Sequence, residues 1–314
     1  MNPLRNALKD YLDMRRALGF ELNRQGRSLE RFIEFLEREG SSRITTELAL
    51  RWATSSSHAQ PSYQACRLAD VRRFAAWWRA TDPRTEVPPQ GLLPQRFHRK
   101  PPFIYSDAQV ANLLAAARTL ASRRGVRGLT YGTLFGLIAV TGMRMSEAVA
   151  LDSGDVDLAQ GLVTIRRTKF GKTRVVPIHS SASAELRSYS VARDHLLRTT
   201  TPAFFLSERG TRITAWSTEY NFACASRRSG LRPPVEGYRH GRGPRIHDLR
   251  HRFAVKTLIA WYRAGLDAER ELPKLSAYLG HVHVNDTYWY LEAVPELLRL
   301  ATERLERRSS EVPR

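Results

Sequence analysis

Leu162-Val163-Thr164-Ile165 and Arg174-Val175-Val176-Pro177-Ile178 decide the fold class. Both are short runs rich in β-branched residues, and Lys169-Phe170-Gly171-Lys172 between them reads as a hairpin turn. Almost everything around this hairpin has helical period. Upstream, Thr130 to Val140 is an apolar helix that stops at Thr141-Gly142, and a short helix follows through Leu151. Downstream, helical patterns resume near Ser181 and run again from His247 to Arg263, and Val294, Leu298, Ala301 and Leu305 mark a terminal amphipathic helix. The expected class is therefore mostly α, with a small antiparallel β-sheet in the C-terminal domain.

Toward the N-terminus, Leu29, Phe32, Ile33 and Leu36 recur on one helical face that ends at Gly40. Leu68, Val71, Ala75 and Trp78 repeat the pattern after the polar breaker Thr54 to Ser62. Pro83, Pro88, Pro89, Pro94, Pro101 and Pro102 then exclude a helix and predict an extended linker. Tyr105-Ser106-Asp107 opens the next helix, with Ser106 or Asp107 as its cap. The chain thus divides into a helical domain over 1–82, a proline-rich linker over 83–104, and a mixed domain over 105–314 with a C-terminal helix.

Composition narrows the partner. The 314 residues carry 50 Lys+Arg against 31 Asp+Glu, a formal charge of +19. Hydrophobic residues make up 42%, too many for a disordered basic tail. No apolar run approaches the ~18 residues of a membrane span, and no charged-then-apolar leader opens the chain. Cys66 and Cys224 are far apart and have no histidine at zinc-ligand spacing, which argues against disulfides and structural zinc. The expectation is a soluble cytoplasmic protein without a membrane partner, whose spread positive charge wraps a polyanion. Arg67, Arg72 and Arg73 on the polar face of the second helix are expected phosphate contacts, as are Lys172 and Arg174 in the hairpin.

Four segments of the mixed domain could do chemistry. They are Thr141-Gly142-Met143-Arg144-Met145-Ser146-Glu147, the hairpin at Lys169, Ile246-His247-Asp248-Leu249-Arg250-His251, and Leu279-Gly280-His281 running on to Thr287-Tyr288-Trp289-Tyr290. Each has a plain explanation singly, as a cap, a solvated lysine, a surface pair or a core aromatic. Together they supply two arginines, a lysine, two histidines and a tyrosine. Guanidinium forks can neutralise a pentacoordinate phosphorus, the task that Mg²⁺ held by carboxylates performs in metal-dependent nucleases. A tyrosine hydroxyl is an acceptable nucleophile but needs a base or a positive field, and a departing 5′ oxygen needs an acid.

These segments resemble the tyrosine recombinase (phage integrase) family. Its pattern is an Arg in T-G-x-R-x-S-E, a hairpin Lys in K-x-x-K-x-R-x-V-P-I/L, H-x-x-R, a His or Trp after L-G, and a Tyr nine residues beyond. Arg144, Lys169, His247, Arg250 and His281 fit in order, and nine added to 281 selects Tyr290 over Tyr288. The resemblance implies a two-domain clamp of a helical core-binding domain and an α+β catalytic domain that grips a double-stranded DNA recombination site. It implies a 3′-phosphotyrosyl intermediate without metal, ATP or other cofactor, and strand exchange through a Holliday junction by a homotetramer on DNA. Accessory recombinases or DNA-bending proteins would be further partners.

After Tyr290 the chain runs Leu291-Glu292-Ala293-Val294 and not the Tyr-Thr-His of Xer-type members, which places it closer to integrases of transposons and plasmids. Type IB topoisomerase chemistry is disfavoured by the compact length and integrase-like N-terminal helices. A binding-only regulator on a decayed scaffold is disfavoured by the intact set of six residues. Asp152, Asp155 and Asp157, the acidic cluster a metal-dependent nuclease would need, read as a polar loop before the hairpin.

Overall fold

The computed structural model describes residues 3–56, 59–94, 101–166, 173–198, 200–234, 243–280, 296–300 and 302–303. Two compact units divide the chain, Met1–Lys100 and Pro101–Arg314.

The first unit holds α1 (Pro3–Ala17), α2 (Asn23–Arg38), α3 (Thr46–Thr54) and α4 (Pro61–Trp78). Local chemistry sets the boundaries. Gly40 takes φ 67 just beyond α2, the Thr45 side chain accepts the Leu48 N–H at 3.2 Å to start α3, and Pro61 opens α4 where no amide donor is needed. Leu29, Phe32, Ile33 and Leu36 meet Leu68, Val71, Phe74 and Ala75 in one core. Trp78 is only partly buried, and Phe74, outside the expected stripe, fills the interior. Burying each such side chain contributes ~1.5–3 kcal/mol.

The first stretch of the expected linker is a strap docked on this unit. Val87 and Leu93 pack against its core, and the Glu86 N–H donates to Ile44 O at 2.9 Å. Arg72 fastens the strap, its Nε and Nη2 donating to Pro88 O and Pro89 O at 2.6 Å each. Proline keeps the segment extended, and apolar burial with charge-assisted bonds holds it.

The second unit contains α5 (Asp107–Arg118), α6 (Val126–Thr141), α7 (Met145–Ala150), β1 (Val156–Asp157), β2 (Leu162–Ile165), β3 (Arg174–Pro177), α8 (Ser180–Leu196), α9 (Ala215–Arg228), α10 (Ile246–Arg263) and α11 (Ala268–Leu279). Ser106 and Gln109 form a reciprocal capping box at the start of α5. The strands make an antiparallel sheet in the order β1-β2-β3, with Val163 opposite Val176. Val163, Ile165 and Val176 face the core, whereas Val175 is 54% exposed, the alternation of a one-sided sheet. Helix α6 is central: it packs on α5, α8 and α10, and Phe135 on it meets Phe222 of α9 edge to face at 5.2 Å.

Three elements escape the apolar pattern. Strand β1 is too short to show alternation. Helix α9 buries Thr218, Asn221 and Ser226, so its inward face is partly polar. Helix α11 carries Pro273 inside, which reads as a breaker. Its leucines Leu272, Leu275 and Leu279 nevertheless pack against Ala254, Val255 and Leu258 of α10. Within the helical residues 296–300, Leu297 joins the α10–α11 cluster, while Leu298 of the expected terminal stripe is 52% exposed. Val294, Ala301 and Leu305 lie outside the described residues.

The acidic cluster is structural. Asp152 pairs with Arg212, Asp155 takes Arg166 Nε at 2.5 Å, and Asp157 accepts the N–H groups of Ala159 and Gln160 at 2.9 and 2.8 Å. Among the described residues, no helix is long and apolar enough to cross a membrane.

Candidate active site

Arg144 stands in the turn between α6 and α7. Gly142 ends α6 with φ +62, and a Cβ there would lie 2.5 Å from Phe253 Cδ1, so both conformation and space call for glycine. Arg144 follows with extended backbone as the cap residue of α7. Glu147, one turn on, takes the Arg144 N–H on Oε2 at 2.9 Å and its Nη1 on Oε1 at 2.8 Å. The far side of the fork donates from Nη2 to Gly280 O at 2.9 Å.

Arg250 comes from α10 and is 1% exposed. Its Nη1 donates to Gly142 O at 2.7 Å and its Nη2 to Leu279 O at 2.8 Å. Two guanidinium groups far apart in sequence therefore sit on consecutive carbonyls at the end of α11, each within a side chain's reach of the other. Carbonyl oxygens bear no formal charge, so these anchors fix the groups without neutralising them. Glu147 takes Arg144 and Arg174 together, one carboxylate between two guanidinium groups. A pair of guanidinium groups fixed side by side suits an anion with several oxygens.

His247 lies one turn before Arg250 on the same helix. Packing against protein lowers its imidazole to about 4, with the Arg250 charge next in size, then Arg245 and Arg144, while Asp248 opposes them. The ring keeps an open edge to water, which screens part of this effect; the consequence is a neutral imidazole at neutral pH. Asp248 is 2% exposed and takes the Arg245 N–H and Nη2 at 2.8 Å each, tying down the start of α10. Lys169, Lys172, His281 and Tyr290 lie outside the described residues, as does Tyr288; the described chain runs to Gly280, the residue before His281.

Residues 104–296 match the Phage integrase family. The chain belongs to this family. As a tyrosine recombinase it is a site-specific DNA recombinase, an enzyme that breaks and rejoins DNA strands. Among its relatives, "Putative integrase/recombinase y4rB" of Sinorhizobium fredii (strain NBRC 101917 / NGR234) is 47% identical over 98% of both chains. Tyrosine recombinase XerD of Neisseria meningitidis serogroup B is 31% identical over 86% of both. Two solved structures share the fold. The Tn1549 transposon integrase has a TM-score of 0.61 at 15% identity, covering 96% of this chain and 99% of that one. A lambda integrase dimer has a TM-score of 0.62 at 14% identity, covering 91% and 76%.

In the recombinase, Arg174 of β3, expected as a phosphate contact, is held by protein acceptors. Its side chain is 13% exposed, and every guanidinium nitrogen is engaged inside the protein. Nη1 and Nη2 fork onto Glu147 at 3.0 and 2.7 Å, and Nε donates to Tyr278 O at 2.9 Å. Burial alone would push the Glu147 carboxyl up. Hydrogen bonds from Arg174 and from the Arg144 backbone, then the Arg174 charge and the Arg144 side chain, outweigh it and hold the carboxyl below its ordinary range. Glu147 thus has a structural part in the site that motif reading passed over, although its spacing three residues after Arg144 was the available signal.

The remaining arginines belong to the first unit. Arg67 lies over the Trp52 ring at 4.0 Å, Arg73 pairs with buried Asp70 at 3.0 Å, and Arg72 holds the strap. Arg67 also donates to Ser55 Oγ at 3.4 Å and is half-buried, Arg73 is exposed, and Arg72 spends its fork on main-chain carbonyls.

Proposed function

We propose that this recombinase cuts and rejoins a double-stranded DNA site through a 3′-phosphotyrosyl intermediate, without metal or ATP. The observation that carries the reading is the seating of Arg144 and Arg250 on the adjacent carbonyls of Gly280 and Leu279. The scissile phosphate lies between the two forks, and His281 adds a further hydrogen bond. The Tyr290 hydroxyl attacks phosphorus in line, forming the P–O bond to tyrosine as the P–O5′ bond breaks. Its proton passes to His247, whose neutral imidazole has room for it, and Lys169 protonates the leaving 5′ oxygen. A 5′ hydroxyl from another strand reverses the step, so the diester energy is kept. Removing one charge-assisted hydrogen bond from such a site slows the reaction ~10²–10³-fold.

Fold relatives support DNA as the partner. Structures exist of the Tn1549 integrase with transposon right end DNA and of a lambda integrase dimer on a core site. Here Arg67 and Arg73 of the first unit contact backbone phosphates of the duplex. Exchange between two duplexes proceeds by a tetramer through a Holliday junction, with accessory recombinases or bending proteins at the site, in the cytoplasm where the DNA lies.

A nicked half-site duplex incubated with the protein in EDTA tests the chemistry. Wild type should give a covalent adduct on a denaturing gel, Tyr290→Phe none with DNA affinity within severalfold, and Tyr288→Phe a normal adduct. An adduct from both variants refutes the nucleophile assignment, and loss of the wild-type adduct in EDTA refutes metal independence.

A further inference from the structure

Three stretches of chain converge on the Arg174 side chain. It leaves β3, and its fork closes on both oxygens of Glu147 from α7. Those same oxygens hold the Arg144 backbone N–H and Nη1. Its Nε meanwhile holds Tyr278 O in the last turn of α11. Gly280 is fitted against it: that residue has φ +68, and a Cβ there would stand 2.7 Å from Arg174 Nη1 and 3.0 Å from its Cζ. The glycine before His281 is therefore required twice, by its backbone conformation and by the guanidinium lying against it.

We propose that Arg174 is a positioning residue of the recombinase, a tie that locks the hairpin strand, the Arg144 turn and the end of α11 into one geometry for phosphate transfer. It acts through Glu147 on Arg144 and through the α11 terminus on the carbonyls that seat both forks. It does not touch DNA. Buried to 13% exposure with all three nitrogens committed, it has no face to offer a phosphate. Lysine at this position keeps the charge but cannot hold both Glu147 oxygens and Tyr278 O in one plane, because an ammonium lacks the planar fork.

The proposal rests on Arg144 as a clamp on the scissile phosphate, and its test separates the two. Single-turnover cleavage by wild type and Arg174→Lys is compared on a phosphodiester half-site and on one with a methylphosphonate at the scissile position. A methyl group in place of a nonbridging oxygen removes the charge that Arg144 neutralises, so a displaced Arg144 matters less. Arg174→Lys should slow phosphodiester cleavage ~10²-fold, as small misplacements of a reacting group do. The penalty should shrink to a few-fold on methylphosphonate, with DNA affinity and its salt dependence unchanged.

An unchanged cleavage rate overturns the proposal, as does an equal penalty on both substrates. Weaker binding with a salt slope smaller by ~1 also overturns it, showing that Arg174 is a phosphate contact after all. If Arg174→Lys does not fold, Glu147→Gln cuts the same tie from the other side and is read on the same two substrates. Wild type that forms no adduct sinks the clamp reading; wild type that cleaves while Arg174→Lys matches it sinks only this one.

Discussion

Replacing Gly142 by alanine adds one methyl group at the junction of α6, α10 and α11. The residue has φ +62, where an L side chain costs ~1 kcal/mol or more. The new Cβ would stand 2.5 Å from Phe253 Cδ1, 3.0 Å from its Cγ and 3.1 Å from Leu279 Cδ2. Phe253 cannot simply swing aside, since its ring is stacked on Tyr278 at 5.5 Å. Relieving such overpacking costs a further ~1–3 kcal/mol. The sum, ~2–4 kcal/mol, corresponds to a fall of ~4–16 °C in the melting temperature of a unit this size. Gly142 O also anchors Arg250, so displacement of that carbonyl moves a guanidinium of the proposed phosphate clamp. Thermal unfolding of the full chain and single-turnover cleavage of a half-site measure the two effects. Cleavage should fall ~10²-fold at a temperature where the variant remains folded. Gly154→Ala, where the added Cβ meets nothing within 4 Å, is the control and should stay within ~0.5 kcal/mol. A melting temperature within ~2 °C of wild type for Gly142→Ala, or unchanged cleavage, would refute the reasoning.

The His247 imidazole is lowered to about 4 in the folded protein, against an ordinary value near 6.5. Between these values the unfolded chain binds the proton first, so this contribution to stability is present above about 6.5 and is lost as pH falls toward 4. His247→Asn should flatten the fall of melting temperature across that window, and an unchanged pH profile would contradict the assignment. Arg72→Ala removes two bonds to proline carbonyls and should destabilise the first unit by ~1.5–3 kcal/mol, read in chemical denaturation. It should leave the salt slope of DNA binding intact, whereas a phosphate-contacting Arg72 would lower that slope by ~1. Leu279→Ala, from a residue with no exposure in the α10–α11 cluster, should cost ~2–5 kcal/mol and loosen the carbonyl under Arg250; a loss below ~1 kcal/mol would count against that packing.

Helices with a continuous apolar face were legible from residue order alone. So was the hairpin, because Val163, Ile165 and Val176 alternate with polar or exposed neighbours. Helices α9 and α11 were not, since one buries polar side chains and the other carries an interior proline. The segments that match the family pattern could be found by spacing, because a motif records which residue types stand near one another along the chain. Spacing also favours Tyr290 over Tyr288 as the proposed nucleophile, a choice their chemistry leaves open.

What each arginine does was beyond the sequence. Arg72 and Arg174 read as phosphate contacts from charge and helix or hairpin position; the fold turns one onto proline carbonyls and the other onto Glu147 and Tyr278. Arg144 and Arg250, of the same residue type, are set on the adjacent carbonyls of Gly280 and Leu279. A guanidinium has five donors and a long stem, and its use depends on which acceptors lie within reach. Those acceptors are main-chain oxygens and a carboxylate brought from distant stretches of chain. Residue order supplied the charges, and packing of α6, α7, α10 and α11 decided which acceptor each of them reaches.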